Sequence, residues 1–174
     1  MGVDWGKQND FTAISVGCAD CRVEVAIDRF NQIDYHFQRE RLKALADYWR
    51  VQMILAESNA MGEPIIDELQ RDGLPVVGFE TNGSTKPPLI ESLALTFERQ
   101  EWQFISNEVW TAELEAYERR IIQYTGRSQY SAPAGGHDDT VMGRALMREA
   151  AGQAFEDAGG INYAAQQRFG NSPY

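Results

Sequence analysis

The first third of the chain carries the pattern of paired strands. Valine and isoleucine residues alternate with polar or small residues through 22–30, which is the period of a half-buried strand. Residues 12–17 (TAISVG) predict a second strand, and the short CADC segment between the two favours an antiparallel hairpin. Together with the short GVDW segment at the start, this pattern predicts three consecutive strands.

From residue 34 onward, helical spacings of apolar residues alternate with short apolar runs. The spacings predict helices over 34–50, 63–71, 87–99, 111–122 and 139–151, with Ile121 and Ile122 on the buried face of the fourth. The apolar runs predict strands at 51–56 and 74–79. We also expect a short edge strand at 102–105 and a β-hairpin over 124–132. This order predicts an α/β fold with a mixed central sheet, antiparallel over its first three strands and then parallel, flanked by helices.

The length of 174 residues fits one domain, which the pattern assigns to residues 1–151. Residues 152–174 lose the periodicity around Gly159 and Gly160, and they predict a mobile tail or a docking segment. Met1 leads directly into the first strand without a signal peptide, so we expect the chain to be a segment of a longer protein.

The composition is that of an ordinary globular protein, with 43% hydrophobic and 24% charged residues and no apolar run long enough to span a membrane. Sixteen basic and 26 acidic residues give a net charge of −10, which opposes tight non-specific binding to DNA. A nuclease is not excluded, because cations neutralise the carboxylates of a metal site.

The two cysteines, Cys18 and Cys21, favour a turn over a metal site. A zinc site needs four ligands, and the sequence has no second CxxC motif and no histidine at a zinc-finger spacing. We therefore expect a hairpin turn here, with a labile disulfide as an open alternative.

At three separate places, a carboxylate stands where an apolar element meets a turn. Asp4 follows the apolar start (GVDWG), Glu57 ends the run 51–56 (ILAESN), and Asp138 and Asp139 open the last helix (GGHDDT). Carboxylates from several elements can bind hard cations such as Mg²⁺ or Mn²⁺, and a pair of such ions suits phosphodiester hydrolysis. Each acid alone could instead be a turn residue or a helix cap, so only the set favours a metal site.

In this order, the motifs resemble the C-terminal nuclease domain of the large terminase subunit of tailed double-stranded DNA bacteriophages, an RNase H-like fold related to the Holliday-junction resolvases. The resemblance covers residues 2–150 and rests on GVDWGKQNDFTA, the strand-ending AES and RSQYSAPAGGHDDTVMGR. It implies that Asp4 bridges two metal ions, that Glu57 is the second acid, and that Asp139 completes the site with Asp138 beside it. His137 would contact the scissile phosphate or order the acids.

Three basic residues are candidates for contact with DNA. Lys7 directly follows Gly6 of the first motif. Lys86 lies in the polar loop 81–86 and resembles a basic position that faces the site. Arg127 lies at the turn of the predicted hairpin. Each of the two lysines fits a plain solvated side chain about as well. We expect Trp5 and Phe11 to be packing residues.

The resemblance implies a metal-dependent endonuclease that cuts concatemeric viral DNA in the host cytoplasm during genome packaging. Its implied partners are double-stranded DNA, the terminase ATPase domain, the portal and the small terminase subunit. The chain has no GxxxxGK[ST] motif, so it is not a P-loop motor by itself. The open alternatives are another RNase H-like nuclease acting on junctions or RNA–DNA hybrids, one half of a sugar-kinase or actin-like ATPase, and a non-catalytic docking module.

Overall fold

The structure, a computed structural model, describes residues 1–6, 10–59, 62–124 and 126–157. In that part of the chain, no helix is long and apolar enough to cross a membrane. Lys7 and residues 158–174 lie outside the described residues, so the predicted boundary at residue 151 stays a prediction. The elements are β1 (Gly2–Asp4), β2 (Thr12–Cys18), β3 (Val23–Phe30), α1 (Tyr35–Trp49), β4 (Ile54–Glu57), α2 (Gly62–Arg71), β5 (Val76–Phe79), α3 (Lys86–Glu98), α4 (Glu108–Ala116), β6 (Glu118–Ile121), β7 (Ser128–Ser131) and α5 (Asp139–Asp157).

The described strands β1 to β5 form one mixed sheet with the order β3-β2-β1-β4-β5. The first three strands pair antiparallel, and β4 and β5 add to β1 in parallel. The CADC segment forms the turn between β2 and β3, and both of its cysteines are free thiols. This architecture confirms the predicted fold class and places β1 at the centre of the sheet.

Helices cover both faces of the sheet. Residues of α1 and α2, such as Leu42 and Leu69, pack on one face against Val3 and Ile14. Residues of α3 and α5 pack on the other face, where Leu146 is fully buried. The apolar spacing within each helix therefore becomes a stripe that faces the sheet.

Helix α5 lies directly against the backbone of β1. A Cβ atom placed on Gly2 would lie 2.1 Å from the Met147 amide nitrogen and 2.2 Å from the Gly143 carbonyl oxygen, so only glycine fits at this position. This close contact holds the beginning of α5 at the edge of the sheet where β1 ends.

A buried ion pair fixes the lateral position of α5. The guanidinium of Arg144 donates two hydrogen bonds to Glu24 on β3, at 2.9 and 2.8 Å, and a third to the Ile105 carbonyl oxygen at 2.8 Å. Glu24 also accepts hydrogen bonds from Ser15 Oγ and from the Ile105 amide. Because these hydrogen bonds pair the two opposite charges, Arg144 and Glu24 can remain buried without an uncompensated charge.

The region between α3 and β7 differs from the sequence prediction. The predicted helix over 111–122 is wrong in its second half, because α4 ends at Ala116 and Glu118–Ile121 form strand β6. Ile121 is 63% exposed and Ile122 is 41% exposed, so they are not the predicted buried stripe. Their spacing fits a helix, but two adjacent β-branched residues also favour a strand, and pairing with β7 decides the outcome.

Three smaller differences concern boundaries. The hairpin begins at Glu118 rather than at residue 124, since β6 is its first strand. The predicted edge strand at 102–105 is a single bridge between Gln103 and Val23. Helix α5 continues to Asp157 instead of ending near residue 151.

Candidate metal centre

The sheet brings Asp4 and Glu57 to one edge. Strands β1 and β4 are parallel neighbours with Val3 opposite Ala56, so the next residues, Asp4 and Glu57, end their strands side by side. Asp4 is 8% exposed, and its carboxyl group lies close enough to Glu57 for the two acids to interact directly. Two neighbouring carboxylates repel each other when both are ionised, so positive charge bound between them would be favourable.

Gly6 and Thr12, which flank the segment between β1 and β2, lie close together beside the site. The Gly6 amide donates a hydrogen bond of 2.9 Å to Thr12 Oγ1, which ties the start of the loop to its end. A Cβ atom on Gly6 would lie 2.3 Å from the Phe11 carbonyl carbon, so this closure requires glycine. The amide of Phe11, the residue before β2, donates to Asp139 Oδ2 on α5 at 3.3 Å.

The N-terminus of α5 supplies Asp138 and Asp139. Asp139 is the first residue of the helix, and the carbonyl of Asp138 accepts the Met142 amide at the helix start. Asp138 Oδ2 accepts a hydrogen bond from Lys86 Nζ at 2.9 Å. His137 Nδ1 lies 3.7 Å from Asp139 Oδ2.

The electrostatics of the site disfavour several negative charges in the absence of a cation. Burial, and then the charges of Glu57, Asp139 and Asp138, raise the pKa of Asp4 well above its usual range. Burial is also the main cause that raises the pKa of Asp139 to about 6, while the Phe11 amide acts in the opposite direction. Tyr117 has a raised pKa because it is largely buried and lies beside Asp138.

These side chains fit a hard divalent cation by their chemistry. The donors are carboxylate oxygens, and the buried Asp4 carboxyl group lies among other acids, where bound cations would stabilise its ionised form. Among the described residues, no three acidic, histidine or cysteine side chains stand together as a ready ligand set. Glu57 accepts a hydrogen bond from Asn59, and Asp138 accepts one from Lys86, so these acids hold protein partners instead.

Several of the residues predicted for the site interact with one another in the structure. The charges of Glu57, Asp138 and Asp139 all act on Asp4, and His137 adjoins Asp139. Among the basic candidates, Lys86 pairs with Asp138, Arg127 lies between β6 and β7, and Lys7 is outside the described residues. Their predicted roles in metal or DNA binding stay predictions.

Trp5 packs against the core, as expected of a packing residue. The Phe11 ring contacts the Arg29 guanidinium and the His137 ring, and the Phe11 amide donates a hydrogen bond to Asp139. Sequence reasoning missed Arg29, Glu113 and Tyr117, which surround the acids. No motif or spacing marks them, because they meet the site only through long-range contacts.

We expect the metal-free protein to lose stability as the pH rises from about 4, where the acids of the unfolded chain ionise, through about 6, the folded-state pKa of Asp139, and beyond it as Asp4 ionises. Asp4 and Asp139 have folded-state pKa values above those of the unfolded chain, so their contribution is complete at low pH and is lost as they ionise in the folded state. Melting temperatures measured in a chelator across this range should fall, and Asp4→Asn should make the fall shallower. An identical pH profile in wild type and variant would contradict the electrostatic description of the site.

Comparison with known proteins identifies one family and several relatives that resemble the chain. The family model described as the terminase RNaseH-like domain matches residues 1–158. The large terminase subunit of Thermus virus P23-45 is 30% identical over 147 residues, which is 84% of this chain and 30% of that protein. The chain thus spans less than a third of the length of this curated relative.

Solved structures agree with the sequence comparison. The crystal structure of the large terminase nuclease from the thermophilic phage G20c has a TM-score of 0.78 and 28% identity, and the match covers 85% of this chain and 79% of that one. The same nuclease with bound magnesium also has a TM-score of 0.78, at 28% identity, over 85% of this chain and 78% of that one.

Proposed function

Because the chain belongs to the terminase RNase H-like domain family, we propose that it is a divalent-metal-dependent endonuclease that cuts concatemeric viral DNA during genome packaging. One observation carries this proposal: the buried Asp4 carboxyl group lies among Glu57, Asp138 and Asp139 where a central strand meets the start of α5. Ionising several neighbouring acids is unfavourable without a cation, and a bound cation stabilises their ionised forms.

The proposed centre takes Mg²⁺ or Mn²⁺, as two ions held by Asp4, Glu57, Asp138 and Asp139. Bound in this way, the ions supply stabilisation of the attacking and leaving oxygens of a phosphodiester displacement. Asp4 is the proposed bridging residue because it stands on the central strand, and the charges of the other three acids all act on it. The site would thereby combine one rigid strand end with the first turn of a packed helix.

The chain's other side chains orient the acids and the DNA. The Phe11 amide donates to Asp139 Oδ2, and His137 Nδ1 lies 3.7 Å from the same oxygen, so the hydrogen bond gives the carboxylate a defined direction before a metal binds. Lys86 neutralises Asp138 in the metal-free state. Lys86, Lys7 and Arg127 are the proposed contacts to the DNA backbone, which would be positioned without base readout.

The proposed setting is the host cytoplasm, where this domain acts with partners that the chain does not contain. These partners are the terminase ATPase domain, the small terminase subunit and the portal. A net charge of −10 gives the domain little electrostatic affinity for DNA, so a partner has to hold the substrate. This reasoning supports a domain that cuts only where the packaging machinery delivers DNA.

We expect cleavage to require added Mg²⁺ or Mn²⁺, to lack base specificity, and to appear mainly at high enzyme concentration and low salt. Plasmid nicking with each metal or with a chelator tests the first point, and mapping of the cut ends tests the second. Fluorescence anisotropy over a salt series measures the DNA affinity, which should weaken further as salt rises.

Substrate choice separates this proposal from the nearest alternatives. Linear duplex, four-way junction and RNA–DNA hybrid substrates should be compared at equal concentration, with the duplex cut at least as well as the others. Strong preference for the junction or the hybrid would favour another RNase H-like nuclease. Absence of metal-dependent cleavage in a folded protein that also fails to bind Mn²⁺ would favour a docking module.

A further inference from the structure

A carboxylate on α4 holds the first turn of α5, although it is not among the acids of the proposed centre. Glu113 Oε2 accepts hydrogen bonds from the Thr140 amide at 3.0 Å and from Thr140 Oγ1 at 2.5 Å. Glu113 Oε1 accepts a hydrogen bond from Arg29 Nη2, on β3, at 2.9 Å. Thr140 directly follows Asp139, so Glu113 and Arg29 fix the backbone that carries this acid.

Arg29 also contacts Phe11, the residue whose amide binds Asp139. Its guanidinium carbon lies 3.3 Å from the centre of the Phe11 ring, which is a close cation–π contact. The Phe11 amide donates to Asp139 Oδ2, and its ring meets the His137 ring edge-to-face at a centroid distance of 5.2 Å. One arginine therefore connects β3, the loop before β2 and the start of α5.

These contacts lie mostly out of solvent. The side chain of Arg29 is 17% exposed and that of Glu113 is 10% exposed, so water screens the pair only in part. The two residues are 84 positions apart in the sequence. The pair thus joins separate elements around the position of Asp139, where a small shift of backbone would move a carboxylate oxygen.

We propose that Arg29 and Glu113 form a clamp, made of these two residues with Phe11 and Thr140, that positions Asp139 for metal binding. The proposal rests on the function proposed above. Neither residue has to touch the metal or the DNA: each acts through Asp139, as outer residues that orient metal ligands commonly do.

The sign of the charge on Arg29 makes the proposal testable. If Arg29 affected the site only through its charge, its removal would take a positive charge away from a cation site and would tighten Mn²⁺ binding. If Arg29 positions Asp139, its removal frees the Phe11 loop and the Glu113 side chain, and Mn²⁺ binding weakens. The two explanations predict opposite results for one substitution.

The experiment is calorimetric titration of Mn²⁺ into DNA-free protein, for wild type, Arg29→Gln, Glu113→Gln and the double variant. We expect each single variant to bind Mn²⁺ about tenfold more weakly. The double variant should be no weaker than the weaker single variant, because both changes open the same clamp. Melting temperatures and circular dichroism confirm that each protein is folded.

Arg41→Gln is the matched control. Arg41 forms an ion pair with Asp28, the neighbour of Arg29 on β3, and lies over the Phe30 ring, so this variant also removes an arginine, an ion pair and an aromatic contact. Successive residues of a strand point to opposite faces, so Arg41 acts on the face away from Arg29. It should bind Mn²⁺ as wild type does.

Unchanged or tighter Mn²⁺ binding by folded Arg29→Gln would overturn the clamp. Should Arg29→Gln not fold, Arg29→Lys keeps the charge without the planar guanidinium, and wild-type affinity in that variant would overturn the clamp equally. The proposed function fails separately, if wild-type protein neither binds Mn²⁺ nor cleaves DNA. Wild-type binding and cleavage with unaffected clamp variants would remove this inference alone.

Discussion

Asp4→Asn is expected to abolish metal-dependent cleavage and to leave the fold intact. Asp4 is buried at the end of the central strand, among the other three acids of the proposed site. Asparagine has nearly the same shape, but it cannot supply the negative charge of a bridging ligand. We expect a loss of about a thousandfold or more in the rate of plasmid nicking with Mn²⁺.

The folded state of this variant is the critical control. Because the ionised Asp4 carboxyl group is disfavoured in the metal-free site, its removal should raise the melting temperature at about pH 8 in a chelator. Asp20→Asn, in the exposed turn after β2, provides a matched change of the same residue type away from the site. Wild-type nicking by Asp4→Asn would remove Asp4 from the mechanism.

The second large effect is a ranking between two neighbouring acids. Asp139→Ala should abolish cleavage, while Asp138→Ala should reduce it by about tenfold. Asp139 is the first residue of a helix packed on β1, is 9% exposed, and has its carboxylate oriented by the Phe11 amide. Asp138 precedes the helix and already pairs with Lys86, so we expect its carboxylate to contribute less to metal binding.

Nicking rates with Mn²⁺, measured beside Asp72→Ala as a control in the exposed turn after α2, decide this ranking. The opposite order would show that the first turn of α5 presents Asp138 to the metal and that Asp139 supports it. Equal and complete loss in both variants would mean that the two acids bind together.

The sheet was predictable from the sequence because its signals are local. Alternation in β3, the continuous apolar run before Glu57 and the short turn at Cys18 each mark a strand or a turn within a few residues. Once the strand order is known, the adjacency of Asp4 and Glu57 follows from parallel pairing, since both acids end their strands. Asp4 and Glu57 could be placed together for this reason, whereas Asp138 and Asp139 were predicted from the resemblance and from their place before the last helix.

The surroundings of the site were not predictable, because they depend on distant pairs. Arg29 with Glu113 and Lys86 with Asp138 join residues that are 84 and 52 positions apart. No periodicity or spacing marks such a pair in one sequence. The wrong helix near Ile121 has a related cause: helical spacing and β-propensity conflict there, and only pairing with β7 resolves the conflict.

The most direct test of the proposed metal centre is a crystal of this domain soaked in Mn²⁺ and measured at a wavelength where manganese scatters anomalously. We predict anomalous peaks about 2.1 Å from carboxylate oxygens of Asp4, with Glu57 and Asp139 completing the ligand set. Asp138 should turn from Lys86 toward the ions or stay beside them. A crystal at saturating Mn²⁺ with no peak at Asp4, or with manganese bound only elsewhere, would contradict the account.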